Sequence, residues 1–223
     1  MLLRGTETTL KAVLFDLDGT LIDSRRDIAA AANAARARFG LVPLPVEDVM
    51  PFIGRGVDFL LQGVLGDTAT PERVKEGLAS LMDHYRDHLV DHTAVYPGCV
   101  DFLTHLRDRG VAMGVVSNKP HVLTLRVLGE LGLEPFFGAA LGADATANKK
   151  PHPEPLRTAL KTLGADPGNS VMIGDSAVDF QAARAAGMAV GLVSHGFTHR
   201  AELEGLGADW LVDSMAEFKE FIF

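Results

Sequence analysis

The sequence predicts an α/β fold: a parallel sheet covered by helices on both faces, with an all-helical insert after the first strand. Two observations carry this. From Cys99 onward, short apolar runs alternate with amphipathic stretches of helical period, the pattern of βαβ units. Before that, residues 24–92 read as helix and turn only, although an apolar run of strand type precedes them. The simplest division is a core made of residues 1–23 and 93–223, interrupted by a helical cap, residues 24–92.

The elements follow in order. "KAVLFD" is a short, β-branched apolar run and predicts a buried strand. "SRRDIAAAANAARARFG" predicts a helix, with Ser24 placed to cap it and Gly40 to end it. "PLPVEDVMPFIGRG" is punctuated by Pro and Gly and reads as a turn region. "VDFLLQGVLG" and "PERVKEGLASLMDHYRDHLVDH" predict two more amphipathic helices. The crossings near Asp23 and from Val95 to Gly98 read as linkers. Then come helix "CVDFLTHLRDRG", strand "VAMGVVSN", helix "PHVLTLRVLGELG", strand "FFGAALG" and helix "PEPLRTALKTLG". Strand "SVMIGD", helix "SAVDFQAARAAG" and strand "MAVGLVS" follow, and "ADWLVD" and "SMAEFKEFIF" close the chain.

Composition narrows the function. The chain has 223 residues and a formal net charge of -8, which argues against nucleic acid as a main partner. A single cysteine, Cys99, excludes an intramolecular disulfide and reads as a packed residue. The N-terminus lacks a signal-peptide pattern, and no apolar run approaches the ~18 residues a membrane span needs. The expectation is a soluble cytoplasmic protein with no membrane partner, monomeric or homodimeric.

In open parallel sheets, ligands bind beyond the carboxyl ends of the strands. The first strand delivers Asp16 and Asp18 there, the second Ser117, Asn118 and Lys119, and a later one Gly174, Asp175 and Asp179. The loop "NKKPHPEP" adds Lys149 and Lys150. Three close carboxylates repel one another and need a cation; a hard divalent ion such as Mg2+ suits oxygen ligands. Metal and lysine together are what a phosphoryl group requires. Gly19 lets the backbone approach closely, and Thr20 and Ser117 offer hydroxyls to phosphate oxygens. Asp16 is then placed as a carboxylate nucleophile and Asp18 as the acid/base for the leaving oxygen and the attacking water. Alone, each motif would read as a turn, a cap or a solvated pair. Their joint occurrence at successive strand ends is the signal.

"DLDGT", "VVSN", "KKPHPEP" and "GDSAVD" stand in the order found in the haloacid dehalogenase superfamily, which the chain resembles over nearly its whole length. The resemblance implies a Rossmann-like core, a cap after the first strand and a magnesium-dependent aspartyl-phosphate mechanism. It implies Asp16 as nucleophile, Asp18 as acid/base, and Ser117 and Lys150 as phosphoryl holders. It places the metal on Asp16, the Asp18 carbonyl and Asp175, with Asp179 at or beside it. Asn118 and Thr20 complete the catalytic set. The dehalogenases lack the second aspartate, so Asp18 points to phosphate chemistry. "NKKPHPEPL", "SNKP", "YPGCVDFL" and "FIGRGVDFLL" are most similar to the phosphoglycolate phosphatase group, so the expected partner is a small phosphorylated metabolite. That group often carries asparagine where this chain has Arg55, between Gly54 and Gly56. Arg55 precedes a predicted helix, whose start favours anions, so it has two readings: a fork for the substrate's anionic end, or a solvated residue of a capping turn.

Other readings are weaker. A phosphatase or phosphomutase acting on a sugar phosphate, nucleotide or pyrophosphate shares the core motifs. A phosphonate-cleaving relative needs a cap lysine, and Lys75 is the only one there. A receiver-type phosphorylation switch is shorter, lacks an insert and carries its phosphoacceptor on a later strand. His84, His88 and His92 recur every four residues, but flanking Asp83, Asp87 and Asp91 mark an exposed face rather than a metal site. His152 reads as shaping its loop, Trp210 as packing, and His195 and His199 receive no role.

Overall fold

Residues 9–221 are described by a computed structural model. The N-terminal stretch considered above for a signal peptide lies mostly outside them. Six strands form one parallel sheet in the order β5-β4-β1-β6-β7-β8. They are β1 (Ala12–Phe15), β4 (Ala112–Val116), β5 (Ala139–Leu141), β6 (Ser170–Gly174), β7 (Ala189–Val193) and β8 (Trp210–Val212). The sheet is buried on both faces, which explains why its strands read as continuous apolar runs. Alternate residues of β1 serve opposite layers. Val13 and Phe15 join Val115, Ile173 and Phe102, under α5 (Cys99–Asp108) and α6 (His121–Glu130). Ala12 and Leu14 join Met172, Leu156 and Ala182, under α7 (Glu154–Leu163) and α8 (Ala177–Ala186). Each large side chain so buried contributes about 1.5–3 kcal/mol.

The register positions the site. Phe15 lies level with Val115 of β4 and Ile173 of β6. The next residues, Asp16–Asp18, Ser117–Lys119 and Asp175, therefore emerge together at the carboxyl edge of three adjacent strands.

Between β1 and α5 lies the helical insert: α1 (Arg25–Ala37), α2 (Val46–Val49), α3 (Val57–Leu65) and α4 (Pro71–Asp87). Ile28, Ala31, Ala32 and Ala35 are buried at i, i+3, i+4 and i+7 on α1. They face α4, whose Gly77 lies close to Ala35 and Leu61. Thr70 caps α4 by accepting from Arg73 N, with Pro71 at its first position. The Pro/Gly-rich stretch before α3 contains α2 and a single 3₁₀ turn, Met50–Phe52.

Two features depart from the sequence reading. The linkers are paired: β2 (Ile22–Asp23) and β3 (Ala94–Val95) form an antiparallel ribbon. And α4 stops at Asp87 rather than continuing to His92. The chain turns there because buried Asp27 of α1 accepts from His92 N, Thr93 N and the Thr93 hydroxyl, at 2.6–3.1 Å. A carboxylate with several such donors ties the outgoing linker to the first insert helix. Ser24 occupies the cap position of α1 but makes no capping bond; its hydroxyl donates to Asp18 Oδ1 at 2.5 Å.

Candidate active site

β1 ends where a buried strand can hold a carboxylate rigidly. Asp16 Oδ1 accepts from Leu17 N at 2.7 Å and lies 2.9 Å from Lys150 Nζ. Lys150, almost wholly buried, also donates to Asp179 Oδ1 at 2.7 Å. Oxygens of Asp16, Asp175 and Asp179 all lie within 4.8 Å of one another. Asp179 is fixed by Ser176, whose hydroxyl donates to its Oδ2 at 2.6 Å. Asp175 accepts from Phe197 N at 2.8 Å and from the Thr20 hydroxyl at 3.2 Å. Thr20, expected to face phosphate, thus has its side chain directed at Asp175. Gly19 has φ +84°, and a Cβ there would stand 2.3 Å from Asp175 Oδ2. Glycine is required both for the left-handed turn and for the approach of Asp175.

Burial drives the electrostatics of this cluster. It pushes the Asp16 carboxyl up to about 7, with Lys150 opposing and Asp179 adding to the rise. It holds Asp175 well above the usual carboxylate range, reinforced by Asp179 and Asp16. Burial pulls the Lys150 ammonium down, but Asp16 and Asp179 outweigh it and leave Lys150 raised. One lysine therefore meets two of the three acids, and among the described residues Asp175 has no cation beside it. Such a buried set of hard oxygen donors fits a divalent cation.

Asp18 is held differently. Its two oxygens accept from Lys119 Nζ at 2.8 and 2.9 Å, and the same ammonium donates to the Tyr85 hydroxyl of α4 at 2.8 Å. Burial lowers Lys119, and Asp18 and Tyr85 more than restore it. Sequence reasoning placed Lys119 at the strand end but gave it no role. Its adjacency to Ser117 and Asn118 was visible there; its partner on a distant helix was not. The Ser117 hydroxyl accepts from Lys119 N at 3.1 Å and retains its own proton for an anion. Asn118 donates to Lys150 O at 2.9 Å and to Gly54 O at 3.0 Å, so it joins the lysine loop to the insert.

A cavity of about 60 Å³ lies at this junction, with Asp16, Asp18, Ser117, Lys119 and Tyr85 on its wall. Gly54 and Gly56 also line it. A Cβ at Gly56 would meet Lys149 Nζ at 2.6 Å, so this loop and the lysine loop touch. Arg55, between them, does not line the cavity. It is exposed, with its guanidinium 3.9 Å from the centre of the Phe59 ring. The favourable stacking on Phe59 explains that placement.

The remaining candidates lie elsewhere. His84 and His88 stack at 4.5 Å, and His88 pairs with Asp91 at 2.7 Å. Among the described residues the only cluster suited to a metal is Asp16, Asp175 and Asp179. His195 packs at a tilt against Tyr96, ring centres 4.2 Å apart, and has Nε2 3.1 Å from Thr20 O, so it braces the turn after β1. Cys99 is buried, and burial pushes its thiol up to about 12, which leaves it unreactive. No helix among the described residues is long and apolar enough to cross a membrane.

The family model for haloacid dehalogenase-like hydrolases matches residues 13–193, which span the whole of this site. The chain belongs to that family. It is 40% identical over 219 residues to a phosphoglycolate phosphatase of Neisseria meningitidis, covering 95% of this chain and 93% of the relative. It is 42% identical over 206 residues to the plasmid phosphoglycolate phosphatase of Cupriavidus necator, covering 92% and 89%. A crystal structure described as that of "a predicted phosphoglycolate phosphatase from Haemophilus somnus" superposes with a TM-score of 0.90 at 29% identity, covering 96% of this chain and 99% of that one. This haloacid dehalogenase-like hydrolase is therefore phosphoglycolate phosphatase-like, and family membership sets aside the receiver-type switch.

Proposed function

We propose that the chain is a magnesium-dependent phosphatase hydrolysing a small phosphate monoester, 2-phosphoglycolate, through an aspartyl-phosphate. The observation that carries this is the pairing of Asp16 with Asp18 on one cavity wall, the first beside a lysine and two acids, the second beside a separate lysine. Both contacts of Asp16 fall on Oδ1, so Oδ2 attacks phosphorus in line. Asp18 gives a proton to the departing ester oxygen, then takes one from the water that opens the acyl phosphate. Ser117 and Lys150 hold phosphoryl oxygens, and Asn118 and Thr20 fix the loops that present them. Asp16, Asp175, Asp179 and the Asp18 carbonyl would hold Mg2+, which as a Lewis acid neutralises phosphoryl charge. Residues 24–92 act as a cap over a core of residues 1–23 and 93–223, and Gly54 and Gly56 bring the cap backbone to the substrate. The enzyme works in the cytoplasm, where its one buried thiol needs no protection.

Purified protein is expected to release phosphate from 2-phosphoglycolate with Mg2+ and not with excess chelator. It should favour that ester over hexose phosphates, nucleoside monophosphates and pyrophosphate. Equal activity with chelator, or a better kcat/KM on a larger ester, would refute this reading.

The acid cluster also predicts how stability depends on pH without metal. Asp16 and Asp175 have folded-state pKa values above their unfolded ones. The folded chain therefore binds more protons between pH 4 and 7, so stability falls as pH rises through that window. Chelated protein should have a higher Tm at pH 5 than at pH 7.5, by the equivalent of roughly a few kcal/mol. Adding Mg2+ should raise Tm mainly at pH 7.5. Calorimetry showing a metal-induced shift as large at pH 5 would contradict this.

A further inference from the structure

We propose that Lys119 and Tyr85 together receive the second anionic group of the substrate, and that this binding loosens the hold of Lys119 on Asp18. The inference rests on the phosphatase reading above and names how that site selects its ester. The insert's contribution to the cavity wall is apolar, from residues such as Ile28, Phe52, Val57 and Leu81, except for backbone and one hydroxyl, that of Tyr85. Lys119 is the one cationic side chain on that wall. A carboxylate entering with the phosphoryl group at Asp16 has this pair to meet, and Arg55 stands outside.

The ammonium's valence decides what happens next. It has three protons. In this structure they meet Asp18 Oδ1 at 2.8 Å, Asp18 Oδ2 at 2.9 Å and the Tyr85 hydroxyl at 2.8 Å. An incoming carboxylate must displace one of these. Tyr85 is the neutral acceptor and the weakest of the three, and exchanging it for an anion makes a charge-assisted bond. The displaced hydroxyl still has its own proton to give to the same anion. With two carboxylates sharing one ammonium, each bond to Asp18 weakens, so the Asp18 carboxylate can turn toward the leaving oxygen. An ester without a second anion leaves Asp18 clamped. Selection therefore acts on turnover as well as on binding, the use of remote binding energy that raises kcat.

The test compares 2-phosphoglycolate with ethyl phosphate, in which a methyl replaces the carboxylate. Wild type should prefer phosphoglycolate in both kcat and KM. Lys119→Met should reduce the kcat/KM preference about 10- to 100-fold, the worth of a charge-assisted bond, with the two kcat values converging. Tyr85→Phe, which removes only an oxygen and keeps the ring packed, should reduce it several-fold and decides the matter if Lys119→Met does not fold. Preference retained in Tyr85→Phe and in any folded Lys119→Met overturns the receptor alone. So does a preference abolished by Arg55→Ala. A wild type with no preference for phosphoglycolate overturns instead the substrate reading beneath it.

Discussion

Replacing Asp16 by Asn should abolish phosphate release while leaving the protein folded and, without metal, more stable than wild type. The activity loss is expected to be roughly 10⁴-fold or more, as for other deletions of a nucleophile that acts with its partners as a unit. The stability gain is the less obvious half. Asp16 is one of three buried acids, and burial and Asp179 both work against its charge. An amide of the same shape keeps the Leu17 N–H acceptor and removes a like charge. Lys150 keeps its 2.7 Å contact with Asp179. Chelated Asp16→Asn should therefore melt higher than chelated wild type at pH 7.5, and the difference should shrink toward pH 5, where wild-type Asp16 is protonated. Mg2+ should raise the variant's Tm less than the wild type's, because one of the carboxylates proposed to hold it is gone. An active variant would refute the mechanism. An inactive variant with a lower metal-free Tm would show that Asp16 holds the fold together rather than straining it.

That strain explains which parts of the site could be read from sequence. Strand-end carboxylates are legible because a buried parallel strand is a continuous apolar run, and acidic residues recurring at the ends of several such runs are not explained as separate turns or caps. Asp16 and Asp175 stand out in this way, and the register of β1 with β4 and β6 brings their loops together; Lys150 is marked instead by its loop motif "NKKPHPEP". The β2–β3 ribbon was not legible, since two residues per strand are too few to show a period of two. Nor was the end of α4. Helical spacing persists to His92, and only Asp27, far upstream, turns the chain. Thr20, Ser24 and Arg55 share one lesson. Each carries a group able to meet phosphate, a helix end or a carboxylate, and each finds a nearer partner in Asp175, Asp18 or Phe59. Residue type announces capacity, and three-dimensional neighbours decide its use. The Lys119–Tyr85 contact joins a core loop to a cap helix and could not be read along the chain.

Lys150 provides the sharpest test of how the cluster is balanced. Its side chain is 1% exposed and lies between Asp16 at 2.9 Å and Asp179 at 2.7 Å. Lys150→Met keeps most of the aliphatic stem and deletes the charge, leaving the acids without their cation. Removing one partner of a buried ion pair costs about 3–5 kcal/mol. In a chain of this size that is a fall in Tm of roughly 10 °C. The loss should be greatest in chelated protein at pH 7.5. It should shrink at pH 5, because Asp16 and Asp175 then take up protons instead of repelling, and it should shrink with Mg2+, which supplies another cation. The double variant Lys150→Met/Asp16→Asn separates compensation from packing. If the lysine acts by neutralising Asp16, the double variant should melt above Lys150→Met alone, with a coupling of about 0.5–3 kcal/mol in the cycle. Additive effects within about 0.5 kcal/mol would mean that Lys150 contributes its stem and its bond to Asp179, and that Asp16 does not depend on its charge.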